Sequence, residues 1–245
     1  MRVKRDSRAP LSKHLEELRW RILICVIALL LGAGICFAFF DVVSHALLAP
    51  AEQHLSNTGE PIFTEVTELF SVTVKICLLG GLILALPILV YQGVMFVAPA
   101  LTPSERRWAI VFVPSALLAF LGGAAFAYFV ILPTILRFLL TFGGGIAEPM
   151  IRIGNYLNLV VTLISWMGFI FETPLVMLLL TKANIVSTSS FSRGRRFAVV
   201  LAFVLGAVIT PTFDPANQAL VAIPFILLYE TGILLSRLGN RRKHQ

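Results

Sequence analysis

The chain has 245 residues, of which 58% are hydrophobic and only 13% charged, and its mean hydropathy is +0.88. Soluble domains carry about 25% charged residues, so this composition excludes a water-soluble globular protein and requires lipid as the solvent. The net charge of +7 does not mark a nucleic-acid binder, because the basic residues flank apolar runs and form no stripe interleaved with aromatics.

Residues 1–21 come first, a basic segment in which Leu11, Leu15, Leu18 and Ile22 make an apolar stripe at helical spacing. No small-residue cleavage site follows the first apolar run, so the segment reads as an amphipathic N-terminus leading into a retained span. Spanning a bilayer takes roughly 20 apolar residues. The expected spans are Ile22–Phe40, Phe70–Val97, Trp108–Leu132, Tyr156–Leu180, Phe197–Thr210 and Ala219–Leu235. Residues 41–68 and 133–155 are expected as external loops, and 236–245 as a tail. The fifth and sixth helices are expected to be short; the fifth run extends about 21 Å against a hydrocarbon core of about 30 Å. Pro87, Pro114, Pro133, Pro174 and Pro224 fall in or at the edge of these runs, where each removes a backbone hydrogen bond. The predicted fold is an all-α membrane protein, one polytopic domain over 1–245, with six transmembrane helices in a kinked, curved bundle and no internal repeat.

Orientation follows from Lys and Arg in the connections. Seven precede the first span, the last of them Arg19 and Arg21; Arg106 and Arg107 lie between the second and third spans. Lys182, Arg193, Arg195 and Arg196 lie between the fourth and fifth, and Arg237, Arg241, Arg242 and Lys243 follow the sixth. The other side has only Arg137 and Arg152, and residues 41–68 contain no Lys or Arg. Both termini are therefore expected in the cytoplasm.

No catalytic constellation is visible. His14, His45, His54 and His244 all lie outside the spans, which argues against paired zinc ligands on a membrane helix and against a buried Ser–His dyad. Gly143–Gly145 lacks a following Lys-Ser/Thr and reads as a flexible loop. Cys25, Cys36 and Cys77 show no paired spacing and read as small buried hydrophobes. Neither an enzyme activity, a metal nor a cofactor is expected.

A few acids remain to be explained. Glu172, in GFIFETP, sits near the middle of the fourth span; an ionisable group at that depth is a functional-site hypothesis, the alternative being a hydrogen-bonded Glu set against the carbonyl freed by Pro174. Thr162, Ser165, Thr210 and Gln218 are the polar groups expected to join it. Glu230 and Lys75 lie toward the ends of spans, where they can pair or snorkel. Glu17, in HLEELRWR, reads as an i,i+4 partner of Arg21 or Lys13, and Glu105, in TPSERR, as the residue three after the cap in a capping box with Thr102 as N-cap and Pro103 at the first helical position. Alternatively, the two carboxylates hold a pair of guanidinium groups by charge-assisted hydrogen bonds.

From about Leu11 to Arg237 the chain resembles the TatC family, the multi-spanning receptors of the twin-arginine protein translocase. The motifs are HLEELRWR (14–21), Pro50, FTEVTELF (63–70), YQGVMFVAPALTPSERR (91–107), GAAFAYFVILP (123–133), FETP (171–174), TP…DP…NQ (210–218) and IPFILLYETGILLSR (223–237). The resemblance implies a receptor that binds the Arg-Arg motif of signal peptides on folded cargo at its cytoplasmic face. It places the guanidinium clamps at Glu17 and Glu105, with Leu15, Leu18, Arg19 and Phe96 around them and Glu16 as a competitor of Glu17. It makes Glu172, Thr210 and Gln218 a polar patch on the concave face, and leaves Asp214 without a secure role. TatA- and TatB-type single-span proteins, other copies of the chain and lipid are the implied partners, the bacterial plasma membrane the implied location, and the proton-motive force the implied energy source. The competing reading is a small proton-coupled transporter or channel with Glu172 as proton carrier.

Overall fold

The computed structural model describes residues 11–55, 65–97, 108–141, 152–210 and 214–241. Its helices are α1 (Leu11–Ala38), α2 (Phe40–Leu55), α3 (Val66–Val97), α4 (Trp108–Phe126), a π turn (Ala127–Ile131), α5 (Leu132–Thr141), α6 (Ile153–Lys182), α7 (Thr188–Arg193), α8 (Arg195–Ile209) and α9 (Pro215–Arg241). Among the described residues, five stretches are long and apolar enough to cross a membrane: Leu15–Ala38, Thr67–Phe96, Val111–Leu139, Ile153–Lys182 and Pro215–Gly239. The expected short fifth span is α8, whose 15 residues extend about 22 Å.

Three expectations need correction. The segment 41–68 is not simply a loop, since most of α2 falls in it; Asp41, His45 and Pro50 interrupt its apolar residues and hide the helix from a hydropathy reading. The segment 133–155 begins with α5, which carries the third span past Pro133 to Thr141. The sixth helix is not short: α9 has 27 residues, because it begins at a cap before the apolar run and ends in polar residues after it.

The long helix α6 is the centre of the molecule, packed against α3, α4, α8 and α9. Its Val160, Leu163 and Met167 have no exposed surface and anchor the main core with Ile131, Ile135 and Val221. Small residues set the closest crossings. A Cβ on Gly123 would stand 2.4 Å from the Met167 carbonyl oxygen, and one on Gly206 would stand 2.7 Å from the Gln218 carbonyl oxygen. In lipid, where apolar side chains gain nothing by leaving solvent, such close backbone approach is a main source of helix association.

Helix direction fixes the two faces. Glu68, near the start of α3, accepts a hydrogen bond from Gly154 N–H at the start of α6, so α3 and α6 run in parallel. Arg21 of α1 reaches Gln92 near the end of α3, and Gly239 of α9 lies against Leu178 near the end of α6. The start of α1 and the end of α9 therefore share one face, here the terminal face, and α2 lies at the opposite one.

Proline shapes the opposite face. Pro50 in α2 has no N–H to offer the Ala46 carbonyl, and the Tyr128 hydroxyl, projecting from the π turn, donates to that carbonyl. Tyr156 of α6 donates to the neighbouring Leu47 carbonyl at 2.9 Å. Two phenols thus tie α2 down onto the bundle.

Candidate functional site

At the terminal face, Arg21 joins α1 to the last turns of α3. Its guanidinium donates to Glu17 Oε1 at 2.6 and 3.1 Å, to Gln92 Oε1 at 2.9 Å and to the Met95 carbonyl at 3.3 Å. An isolated i,i+4 pair contributes only a few tenths of a kcal/mol. Here the same guanidinium spans two helices, so Glu17 is held in place relative to α3. Both Arg21 contacts fall on one carboxylate oxygen; Oε2 has no partner among the described residues. The Glu17 side chain is 39% exposed, leaving that oxygen available to a second guanidinium.

The neighbouring predicted residues divide by helical phase. Leu15, Glu16 and Arg19 are exposed, whereas Leu18 is half-buried. Phe96 is half-buried and follows Met95, the residue whose carbonyl Arg21 engages. Glu17, Arg21 and the turn Gln92–Phe96 are thus brought together, with Leu15 and Arg19 on the outward side of α1. Glu105, with Thr102 and Pro103, lies outside the described residues.

Within the span, Glu172 does not join Thr210 and Gln218. It lines a cavity of about 170 Å³ with Val90 and Gly93 of α3, Phe112 of α4 and Leu175 of α6. Its Oε1 is buried without a hydrogen-bond partner, so the expected pairing with a carbonyl freed by Pro174 is not formed through that oxygen. Thr210 instead lines a cavity of about 410 Å³ between α6 and α8 with Asn155, Asn158 and Thr162. Gln218 presents its backbone to Gly206 at the start of α9. The physical reason is pitch: ten residues beyond Thr162, Glu172 stands about 15 Å further along α6 and faces α3 and α4 rather than α8. Ser165 donates to its own helix, to the Val161 carbonyl at 2.7 Å.

Lys75, Glu230 and Asp214, also singled out in the sequence, each find partners. Lys75 donates to Asn158 Oδ1 at 2.7 Å. Arg195 grips Glu230 through both carboxylate oxygens at 2.8 Å. Tyr229 donates to the Phe191 carbonyl at 3.0 Å and Arg237 to Ser192 Oγ at 3.1 Å, so α7 and the start of α8 are clasped onto α9. Asp214 caps α9, accepting from Asn217 N–H and from Asn217 Nδ2, each at 2.8 Å. The Asp-Pro pair at 214–215 is a sequence signal for this cap.

At the opposite face, Glu68 combines its bond to Gly154 N–H at 2.9 Å with an Arg152 contact at 3.4 Å, and Arg152 also reaches Glu65 at 3.3 Å. A carboxylate from α3 therefore serves the N-terminus of α6, where a negative charge meets the positive end of the helix dipole. Sequence reasoning missed this site, since partners 84 to 87 positions apart leave no local signal. Among the described residues there is no group of three or more His, Cys, Asp or Glu placed to hold a metal ion.

The family model of the Sec-independent protein translocase protein TatC matches residues 13–224. A Sec-independent protein translocase protein TatC from Carboxydothermus hydrogenoformans is 37% identical over 232 residues, covering 95% of this chain and 94% of the relative. Its counterpart in Aquifex aeolicus is 39% identical over 238 residues, covering 96% and 98%. A crystal structure of the twin arginine translocase receptor TatC superposes with a TM-score of 0.82 at 39% identity, over 93% of this chain and 99% of that one. A second, in the detergent DDM, gives a TM-score of 0.83.

Proposed function

Because the chain belongs to the TatC family, and so is a membrane-embedded component of a protein translocase rather than an enzyme, we propose that its terminal face is cytoplasmic and receives the twin-arginine signal peptides of folded cargo. The observation that carries this reading is Glu17: one oxygen anchored through Arg21 to Gln92 and Met95, the other without a partner among the described residues. A carboxylate fixed in position before its ligand arrives loses little freedom on binding. One signal-peptide guanidinium pairs with Glu17 and the second with Glu105, while the exposed Leu15 offers apolar contact beside them.

The cytoplasmic orientation rests on the concentration of Lys and Arg at that face, and the setting is a bacterial plasma membrane. TatA- and TatB-type single-span proteins and further copies of the chain complete the complex, which the proton-motive force drives. The transporter alternative is disfavoured because, among the described residues, Glu172 is the sole ionisable group lining its cavity, which leaves it without a relay partner there.

The test is binding of a labelled twin-arginine signal peptide to the purified protein, beside the same peptide carrying Lys-Lys. Lysine keeps the charge and loses the planar fork, so binding should fall about tenfold or more. The Glu17→Ala/Glu105→Ala variant should abolish the preference for Arg-Arg while remaining folded. Equal binding of both peptides by the intact protein would refute the assignment.

A further inference from the structure

The crossing of α1 and α3 keeps one antiparallel register along its length. Arg21 meets Gln92, and Gly32 meets Gly81 so closely that a Cβ on Gly32 would stand 2.7 Å from the Gly81 carbonyl oxygen. One turn further, the same register sets Cys36 opposite Cys77. The Cys36 sulfur fills the space that a side chain on Gly80 would take, only 2.3 Å from where that Cβ would lie. It also points to the Ile76 carbonyl at 3.8 Å, the residue before Cys77. Both residues are buried. A disulfide joins residues whose Cα atoms lie about 4.4–6.8 Å apart, which requires two facing positions on closely packed helices. The α1 and α3 backbones meet closely at Gly32 and Gly81, where a Cβ on Gly32 would stand 3.0 Å from Gly81 Cα, one turn from the cysteines.

We propose that Cys36 and Cys77 form an oxidisable dithiol whose disulfide staples α1 to α3. Sequence spacing alone marks them as inert buried hydrophobes; the register makes them a pair. Cys77 lines an apolar groove of about 560 Å³ with Ala33, Phe37, Leu69 and Phe70, and the last three of these reach the surface. The groove therefore admits an apolar oxidant from the lipid, of the quinone class. The step removes one hydrogen from each thiol and forms one S–S bond; the two electrons and two protons pass to the quinone, which leaves as the quinol. Because α1 packs chiefly on α3, this bond fixes the position of the helix that carries Glu17.

The experiment treats the full-length protein in lipid nanodiscs with a fully substituted quinone, which forms no thiol adduct. Thiols are then alkylated in denaturant and the peptides mapped by mass spectrometry. Two of the three cysteines should lose alkylation, with peptides bearing Cys36 and Cys77 joined, Cys25 still free, and the link reversed by reductant. Cys36→Ser and Cys77→Ser should each leave all remaining thiols alkylable. Three free thiols in the treated intact protein, or linkage through Cys25, would overturn the proposal.

Discussion

Removal of the Tyr128 hydroxyl tests the idea that α2 is held by a carbonyl that proline has freed. In Tyr128→Phe the ring stays and only the bond to the Ala46 carbonyl is lost. A single neutral hydrogen bond of this kind contributes about 0.5–1.5 kcal/mol, and α2 keeps its second tie through Tyr156 and Leu47. Local opening of α2 should therefore become about two- to tenfold more frequent, read as faster amide hydrogen exchange confined to residues 40–55. The decisive arm is the same substitution in a Pro50→Ala background. Alanine restores an N–H four residues after Ala46, so the carbonyl gains a partner within the helix and no longer depends on Tyr128. Loss of the phenol should then cost about half or less of its value in the Pro50 chain, a coupling of the size seen between contacting groups. An equal effect in both backgrounds would refute the reasoning and leave the tyrosine as a packing residue.

Glu68→Ala removes the cap of α6 and one of two Arg152 contacts together, and should lower stability by about 1–3 kcal/mol in a detergent unfolding titration, whereas Glu65→Ala, on the exposed side, should change it by less than about 1 kcal/mol. Gly81→Ala puts a Cβ 2.5 Å from the Ala33 nitrogen and should cost about 1–3 kcal/mol. Gly34→Ala, which meets nothing within 4 Å, should be neutral or stabilising by up to about 1 kcal/mol; equal effects at the two glycines would contradict the close α1–α3 crossing. Asp214→Ala should destabilise the start of α9 by about 1 kcal/mol, seen as faster exchange at Asn217 and Gln218, while Asp214→Asn should recover most of it.

Hydropathy and the positions of Lys and Arg were enough to locate the spans, because lipid imposes a length and an apolar content that a sequence shows directly. They failed where a helix extends beyond the slab or lies along its edge. α9 was underestimated because Asp214 starts it early and Ser236–Arg241 prolong it in polar residues. α2 escaped notice because Asp41, His45 and Pro50 interrupt its apolar residues, and the tie of its Ala46 carbonyl to Tyr128, 82 positions away, leaves no local signal. At the terminal face, the choice of Glu17 over Glu16 came from the family motif, and the structure adds the interhelix anchor at Gln92 that no periodicity could reveal. The polar patch was misassembled for a different reason. Glu172, Thr210 and Gln218 were grouped by the family resemblance, yet Glu172 lies further along α6 and faces its α3–α4 side, away from the Thr210 cavity.

The π turn at Ala127–Ile131 has a consequence for chain length. Its Leu132 N–H reaches back five residues to the Ala127 carbonyl, so the turn holds one residue more than an α-helical turn needs. Loss of one residue there would restore a regular helix and leave α4 and α5 in the phase they have now, with Phe120 and Ile135 still facing the core. The same deletion one turn to either side would rotate the two halves against each other by about 100° and turn Ile135 toward lipid. The helix thus contains a single place where its length can change without altering what it buries, and Tyr128 occupies it.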